Sequence, residues 1–200
     1  MGILIAVLAM NQFQINSLHK MMNQNHSSMG QIQNQMPPNS QVQGVTTGES
    51  AEVIAAKILP KGVPAGYGAD LAVSFDNASA AINVLAPFEQ DTRADKLEGE
   101  NLERYIAIGS QIACEFCCGA RTMVNQDGTK ACGCAHSAAM RGISAYMLEN
   151  YGNDVSDGEI LAEVSKWKAS FFPGPTVEKY MASSGQGGSG SGLQTQVGGC

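Results

Sequence analysis

Residues 132–171, CGCAHSAAMRGISAYMLENYGNDVSDGEILAEVSKWKASF, decide the fold class. Met140, Ile143 and Met147 recur at helical spacing, and Gly152 stands where a left-handed residue closes a helix. The spacing predicts a helix from Ala135 to about Tyr151. Ser156-Asp-Gly-Glu159 then reads as a capping box. It opens a second helix with Ile160, Val164, Trp167 and Phe171 on one stripe, stopped at Pro173. A short last helix is expected from Pro175 to Met181. Upstream, Val53, Ile54, Ile58 and Leu59 give helical spacing over residues 50–59, and Pro60 ends it. Residues 60–70 are turn-rich. Asn77 is an N-cap for a helix through about Leu85, closed by Pro87. Residues 99–113 read as a helix with Leu102, Ile106 and Ile112 on one side, leading into Cys114.

That stretch starts inside the most chemically specific part of the chain. Five of the six cysteines fall in residues 114–134, as Cys114-Glu-Phe-Cys117-Cys118 and Cys132-Gly-Cys134-Ala-His136. Between them, Asp127-Gly128 flanked by β-compatible residues signals a short hairpin. The two cysteine groups are then the feet of the hairpin. The expected fold is mainly α: a small helical domain with one short β-hairpin carrying a Cys-rich metal site.

Thiolates from Cys114, Cys117, Cys132 and Cys134 would make a closed tetrahedral site suited to zinc. The same four suit a two-iron, two-sulfide cluster, and the CxC and CxxC pairs suit copper(I). Zinc fits paired ligands on a hairpin best. His136 is placed to replace one thiolate or to hydrogen-bond to one, and Cys118 to pack as a small hydrophobe. The dipole of the helix beginning near Ala135 favours thiolate at Cys132 and Cys134, whereas Cys114 follows a helix C-terminus. Disulfides are the other reading of six cysteines. The adjacent Cys117-Cys118 and the CxC are poor bridge partners within themselves, which leaves cross-pairing between the groups.

Bulk properties narrow the function. A formal net charge of −6 and a pI near 5.0, with no Lys/Arg cluster, argue against a nucleic-acid surface. Only 6% of residues are aromatic, so the core must rely on close packing through small residues. No phosphate-loop, dinucleotide, HExxH or GxSxG motif is present, and no catalytic residue is assigned. Glu98, Glu100 and Glu103 read as a solvated helix N-terminus, and Arg141 as a surface or cap residue. A CxC beside a histidine could perform thiol–disulfide exchange, although here the CxxC follows a helix rather than a strand.

Four segments follow from composition. Residues 1–18 carry the continuous apolar run Ile3–Met10, expected as a membrane anchor, or else as a docking helix. Residues 19–48 form a Gln/Asn/Met-rich linker whose His19, Met21, Met22, His26, Met29 and Met36 are soft donors. Residues 49–182 form the helical Cys-rich domain, and 183–200 a flexible Gly/Ser tail ending in Cys200. That cysteine could fold back as a ligand, pair with another chain or serve as a handle. Expected partners are a metal ion, a membrane through the apolar segment, and a protein partner or second copy. The expected location is membrane-anchored and extracytoplasmic, with a soluble cytoplasmic protein as the alternative.

Cys114-Glu-Phe-Cys117-Cys118-Gly, Cys132-Gly-Cys134-Ala-His136-Ser, Glu159-Ile-Leu, Trp167-Lys and Phe-Phe-Pro173 together resemble a group of small, membrane-anchored cysteine-rich proteins of uncultivated archaea and bacteria. The resemblance runs from about Val53 to Tyr180 and implies an N-terminal anchor without an activity. The CxC followed by two helices is also similar to bacterioferritin-associated ferredoxin-like domains, which implies a two-iron cluster. The CxxC precedes the CxC here, the reverse of the order in those domains.

Overall fold

The computed structural model describes residues 48–91, 97–185 and 192–198, so the apolar segment 1–18 and nearly all of the linker lie outside the described residues. The described chain is mainly helical. Its helices are α1 (Ala51–Ile58), α2 (Tyr67–Asp70), α3 (Ala78–Leu85), α4 (Pro87–Asp91), α5 (Gly99–Gly109), α6 (Ala135–Tyr151), α7 (Asp157–Phe171) and α8 (Pro173–Ser183). No helix among the described residues is long and apolar enough to cross a membrane.

Capping sets several boundaries. Ser50 accepts from Val53 N, Asn77 from Ala80 N, and Ser156 with Glu159 completes the capping box of α7. Pro87 does not simply end α3. It starts α4, where a missing N–H costs nothing in a first turn.

Helix α6 is the axis of the domain and packs against α3, α4, α5 and α7. Ala139, Met140, Ile143, Ala145, Met147 and Leu148 are all buried, so apolar residues cover most of its circumference. Its small residues allow close approach. At Gly142 a Cβ would lie 2.0 Å from the Leu85 carbonyl oxygen at the end of α3. A backbone atom cannot rotate away, so Gly142→Ala is expected to lower stability by about 3 kcal/mol in chemical denaturation. An unchanged midpoint would contradict this helix contact.

The α7 stripe Ile160, Val164, Trp167 and Phe171 is fully buried against α6. Trp167 packs on Phe75 at 4.6 Å between ring centroids, a tilted pair contributing about 1 kcal/mol beyond its buried area. Its indole N–H donates to the Tyr67 hydroxyl, which donates in turn to Glu163. Ala51, Ile54, Ala55, Val177 and Met181 form a second apolar cluster between α1 and α8. Val53, expected on the packed face of α1, is exposed instead.

The hairpin is reduced to a turn and one antiparallel bridge, Val124 to Lys130, and no strand forms among the described residues. Asn125 N bonds to Thr129 O and Gly128 N to Asn125 O, so Asp127-Gly128 does form a tight turn. The ladder stops because Met123 N donates to Gly109 O and Ile112 O at the end of α5. Those bonds also close α5 at Gly109, short of the expected 113. Tyr105 and Ile108 are the deeply buried residues of α5. Leu102 and Ile106 are half-buried and cover Gly128 of the turn.

Arg141 corrects a second expectation. It is 1% exposed, and its guanidinium bonds to Glu89 at 3.0 Å and to the Met123 carbonyl at 3.0 Å. It therefore ties α4 and the bridge segment to α6 from inside the core.

The tail also packs. Gly174 N donates to Gln194 O and Val197 N to Phe171 O, so residues 192–198 return along the α7–α8 corner.

Candidate metal centre

Three elements converge on the cysteines. The loop after α5 carries Cys114, Cys117 and Cys118, the bridge segment ends at Cys132, and α6 begins after Cys134. Cys114 is buried, whereas Cys117 and Cys118 are exposed. Glu115 stands between them at φ 60°, and its carboxylate accepts from Lys168 at 2.7 Å and Lys179 at 3.3 Å. These partly exposed pairs contribute about 1 kcal/mol or less each. Their role is to fasten the loop onto α7 and α8. Phe116 packs against Phe172 as a tilted pair, 5.1 Å between ring centroids.

Cys134 is the N-cap of α6 and accepts from Ser137 N at 3.4 Å. Its sulfur lies 4.0 Å from that of Cys114. The contact holds the Cys134 thiol well below its usual range, while the same contact and burial push the Cys114 thiol up, so Cys134 is the more readily deprotonated of the two. Helix-terminal N–H groups also favour the thiolate on Cys134.

His136 is fully buried in the first turn of α6, against Phe171 and Phe172. Its Nε2 lies 2.8 Å from the Val197 carbonyl oxygen. A carbonyl only accepts, so Nε2 carries the proton, and in the neutral ring the lone pair is on Nδ1. Burial alone would lower the affinity of the ring for a second proton. Hydrogen bonds to the Cys134 sulfur and the Val197 carbonyl outweigh it and raise that affinity.

Two donor groups result. Ligand atoms of Cys114, Cys134 and His136 lie within 4.8 Å of one another, as do those of Cys118, Cys132 and Cys134. Cys134 belongs to both. In the second group Cys118 and Cys132 form a disulfide, a cross-pair between the two sequence motifs. The expectation that Cys118 packs as a free hydrophobe is therefore overturned: it is exposed and bonded. Cys117 is disulfide-bonded as well and belongs to neither group. The structure thus does not gather Cys114, Cys117, Cys132 and Cys134 as one set of four free thiols. The cysteine cluster, with its disulfide and its Cys/His groups, is compatible with metal binding.

The chain matches no protein-family model, no curated protein and no solved structure.

Sequence reading missed two contributors. The Val197 carbonyl was invisible because its role depends on the tail returning. Ser137 N–H follows from Cys134 being an N-cap, a position normally held by Ser, Thr, Asp or Asn. With disulfides intact, iodoacetamide should alkylate Cys134 well before Cys114, because Cys134 is the partly exposed thiolate and Cys114 is 1% exposed. Peptide mass spectrometry reads the order, and faster labelling of Cys114 would contradict it.

Proposed function

We propose that this protein binds a soft metal ion, zinc by preference, through Cys114, Cys134 and His136. The carrying observation is the convergence of two sulfurs and one imidazole within 4.8 Å, with the imidazole Nε2 held by a carbonyl. Metal-bound histidines usually use one nitrogen this way while the other coordinates. A mixed sulfur and nitrogen set suits zinc, and also copper(I). An iron–sulfur cluster requires four protein ligands, and the Cys118–Cys132 bond withholds two of the thiolates near Cys134.

Three donors leave a coordination position open, and Cys134 is partly exposed. The apolar core around Trp167 and Met140 is continuous without a metal. Both observations support storage or transfer over a purely structural role. The disulfide supports an oxidising compartment, in line with an extracytoplasmic protein held at a membrane by residues 1–18.

The test is a zinc titration of the non-reduced full chain by calorimetry. One equivalent is expected, with release of protons from the thiols. Cys114→Ser and His136→Ala should each weaken binding. Failure of zinc, cobalt(II) and copper(I) all to bind saturably would sink the reading.

One observation supports a second reading, thiol–disulfide exchange. The Cys134 sulfur lies within 4.8 Å of both sulfurs of the Cys118–Cys132 bond. Attack by the Cys134 thiolate on Cys118 would form Cys118–Cys134 and release Cys132 as thiolate, with no net oxidation. Mass-spectrometric detection of the Cys118–Cys134 linkage in metal-free protein, suppressed by zinc, would favour it.

A further inference from the structure

We propose that Cys118, Cys132 and Cys134 form a second site for a soft metal ion, masked by the Cys118–Cys132 disulfide and opened when a dithiol reduces it. The Cys134 sulfur then bridges the two sites. The bridge rests on the metal reading above, whereas the second donor set does not.

The donors are already assembled. The three sulfurs lie within 4.8 Å of one another, as do the ligand atoms of Cys114, Cys134 and His136. The two sets share Cys134 alone and do not merge into one larger set. That geometry favours one ion in each set, joined through a shared thiolate, over a single ion held by four sulfurs. Two thiolates on one tetrahedral zinc stand about 3.8 Å apart, because each Zn–S bond is about 2.3 Å. Cys118 and Cys132 are bonded to each other and so are closer than that. Reduction lets them part to the distance an ion between them needs, with the third sulfur in place.

The set does not depend on the disulfide for its position. Cys118 lies on the loop that Glu115 fastens to Lys168 and Lys179. Gly119 follows it at φ 69°, a left-handed conformation that glycine adopts without strain. Ala131 N donates to Met123 O at 3.1 Å, which pins the residue before Cys132. Cys134 is held as the N-cap of α6. Neither Cys118 nor Cys132 belongs to an apolar core cluster, so opening their bond leaves the core packed. The site is also accessible. Cys118 is exposed, and a Cβ on Gly133 would meet nothing within 4 Å, so the space beside the CxC is open.

The exchange balances. A dithiol attacks Cys118, the exposed sulfur, and releases Cys132 as thiolate. Its second thiol then displaces Cys118 and leaves as a disulfide, so two electrons and two protons pass to the protein. A soft metal ion displaces the thiol protons when it binds. Reoxidation by a disulfide oxidant returns the two electrons, re-forms the Cys118–Cys132 bond and discharges the second ion. Metal capacity therefore follows the redox state of one bond.

The test titrates the full chain with zinc by calorimetry, first unreduced and then after treatment with dithiothreitol and anaerobic desalting. One equivalent is expected before reduction and two after it. Reduction also frees Cys117, whose sulfur is in neither set, so variants make the assignment. Reduced Cys117→Ser should keep two equivalents and reduced Cys118→Ser only one, with an unchanged circular dichroism spectrum. A capacity of one in the reduced protein, a second equivalent that survives Cys118→Ser, or one that needs Cys117 overturns the proposal. Reduced Cys134→Ser should bind neither equivalent tightly, and either one retained at unchanged affinity overturns the shared sulfur. If unreduced protein binds no zinc while reduced protein binds one equivalent that Cys118→Ser removes, the first metal reading fails and the masked site stands.

Discussion

Cys134→Ser is expected to abolish high-affinity metal binding, with a loss larger than that from any other single cysteine replacement. Cys134 is the one sulfur common to both donor groups, so no rearrangement between them avoids it. It is also the thiolate of the Cys114–Cys134 pair, and a metal must have its thiol ligand deprotonated. Serine keeps the N-cap, because its hydroxyl can accept from Ser137 N as the sulfur does. The fold should therefore survive, and the loss should report on ligation. Since losing an outer-shell partner alone costs about 10–100-fold, removal of this sulfur should cost at least about 100-fold in zinc affinity. Competition with a chromophoric chelator measures it. Cys118→Ser, which opens the disulfide but leaves Cys114, Cys134 and His136 in place, should retain binding. Equal losses for Cys118→Ser and Cys134→Ser would mean that the donor set is wrongly drawn.

Arg141→Met should destabilise the domain by about 3–5 kcal/mol in chemical denaturation. The guanidinium is 1% exposed and faces the Glu89 carboxylate, itself 8% exposed. Removing it leaves a buried carboxylate whose other cation is Lys130, 3.9 Å away and 57% exposed. It also strips the Met123 carbonyl of its donor. A domain with about 5–15 kcal/mol of total stability would lose about a fifth or more of it. Arg141→Met combined with Glu89→Leu removes both charges together and should recover most of the loss, because an apolar pair of similar volume is often as stable as a buried ion pair. A single-variant loss below about 1 kcal/mol would show that water reaches Glu89. The consequence extends to the site. Met123 lies in the segment joining the two cysteine groups, so zinc affinity should fall in parallel.

Local signals in the sequence were strong where they involved neighbours along the chain. Asn77, the Ser156…Glu159 box and the α7 stripe all lie where their spacing places them. The Asp127-Gly128 turn does too, because a tight turn depends on its own residues. The hairpin expected around it is only one bridge, since the end of α5 claims the Met123 N–H. Arg141 was misplaced for a similar reason. A charged residue on a helix reads as exposed unless its partner is known, and Glu89 lies 52 positions away.

The candidate site divides in the same way. Sequence alone determined that the chain is mainly helical, that its cysteines flank a turn and open a helix, and that Cys134 sits where helix amides favour a thiolate. Each of these depends on contacts within a few residues. Tertiary structure alone decided which sulfurs meet: Cys114 with Cys134, and Cys118 with Cys132. It also decided that His136 is held by Val197, 61 positions on. Sulfurs a few residues apart exchange partners through small changes in loop path. That path is set by distant groups, here Met123 on the α5 carbonyls and Glu115 on Lys168 and Lys179, whose separation along the chain carries no local signature.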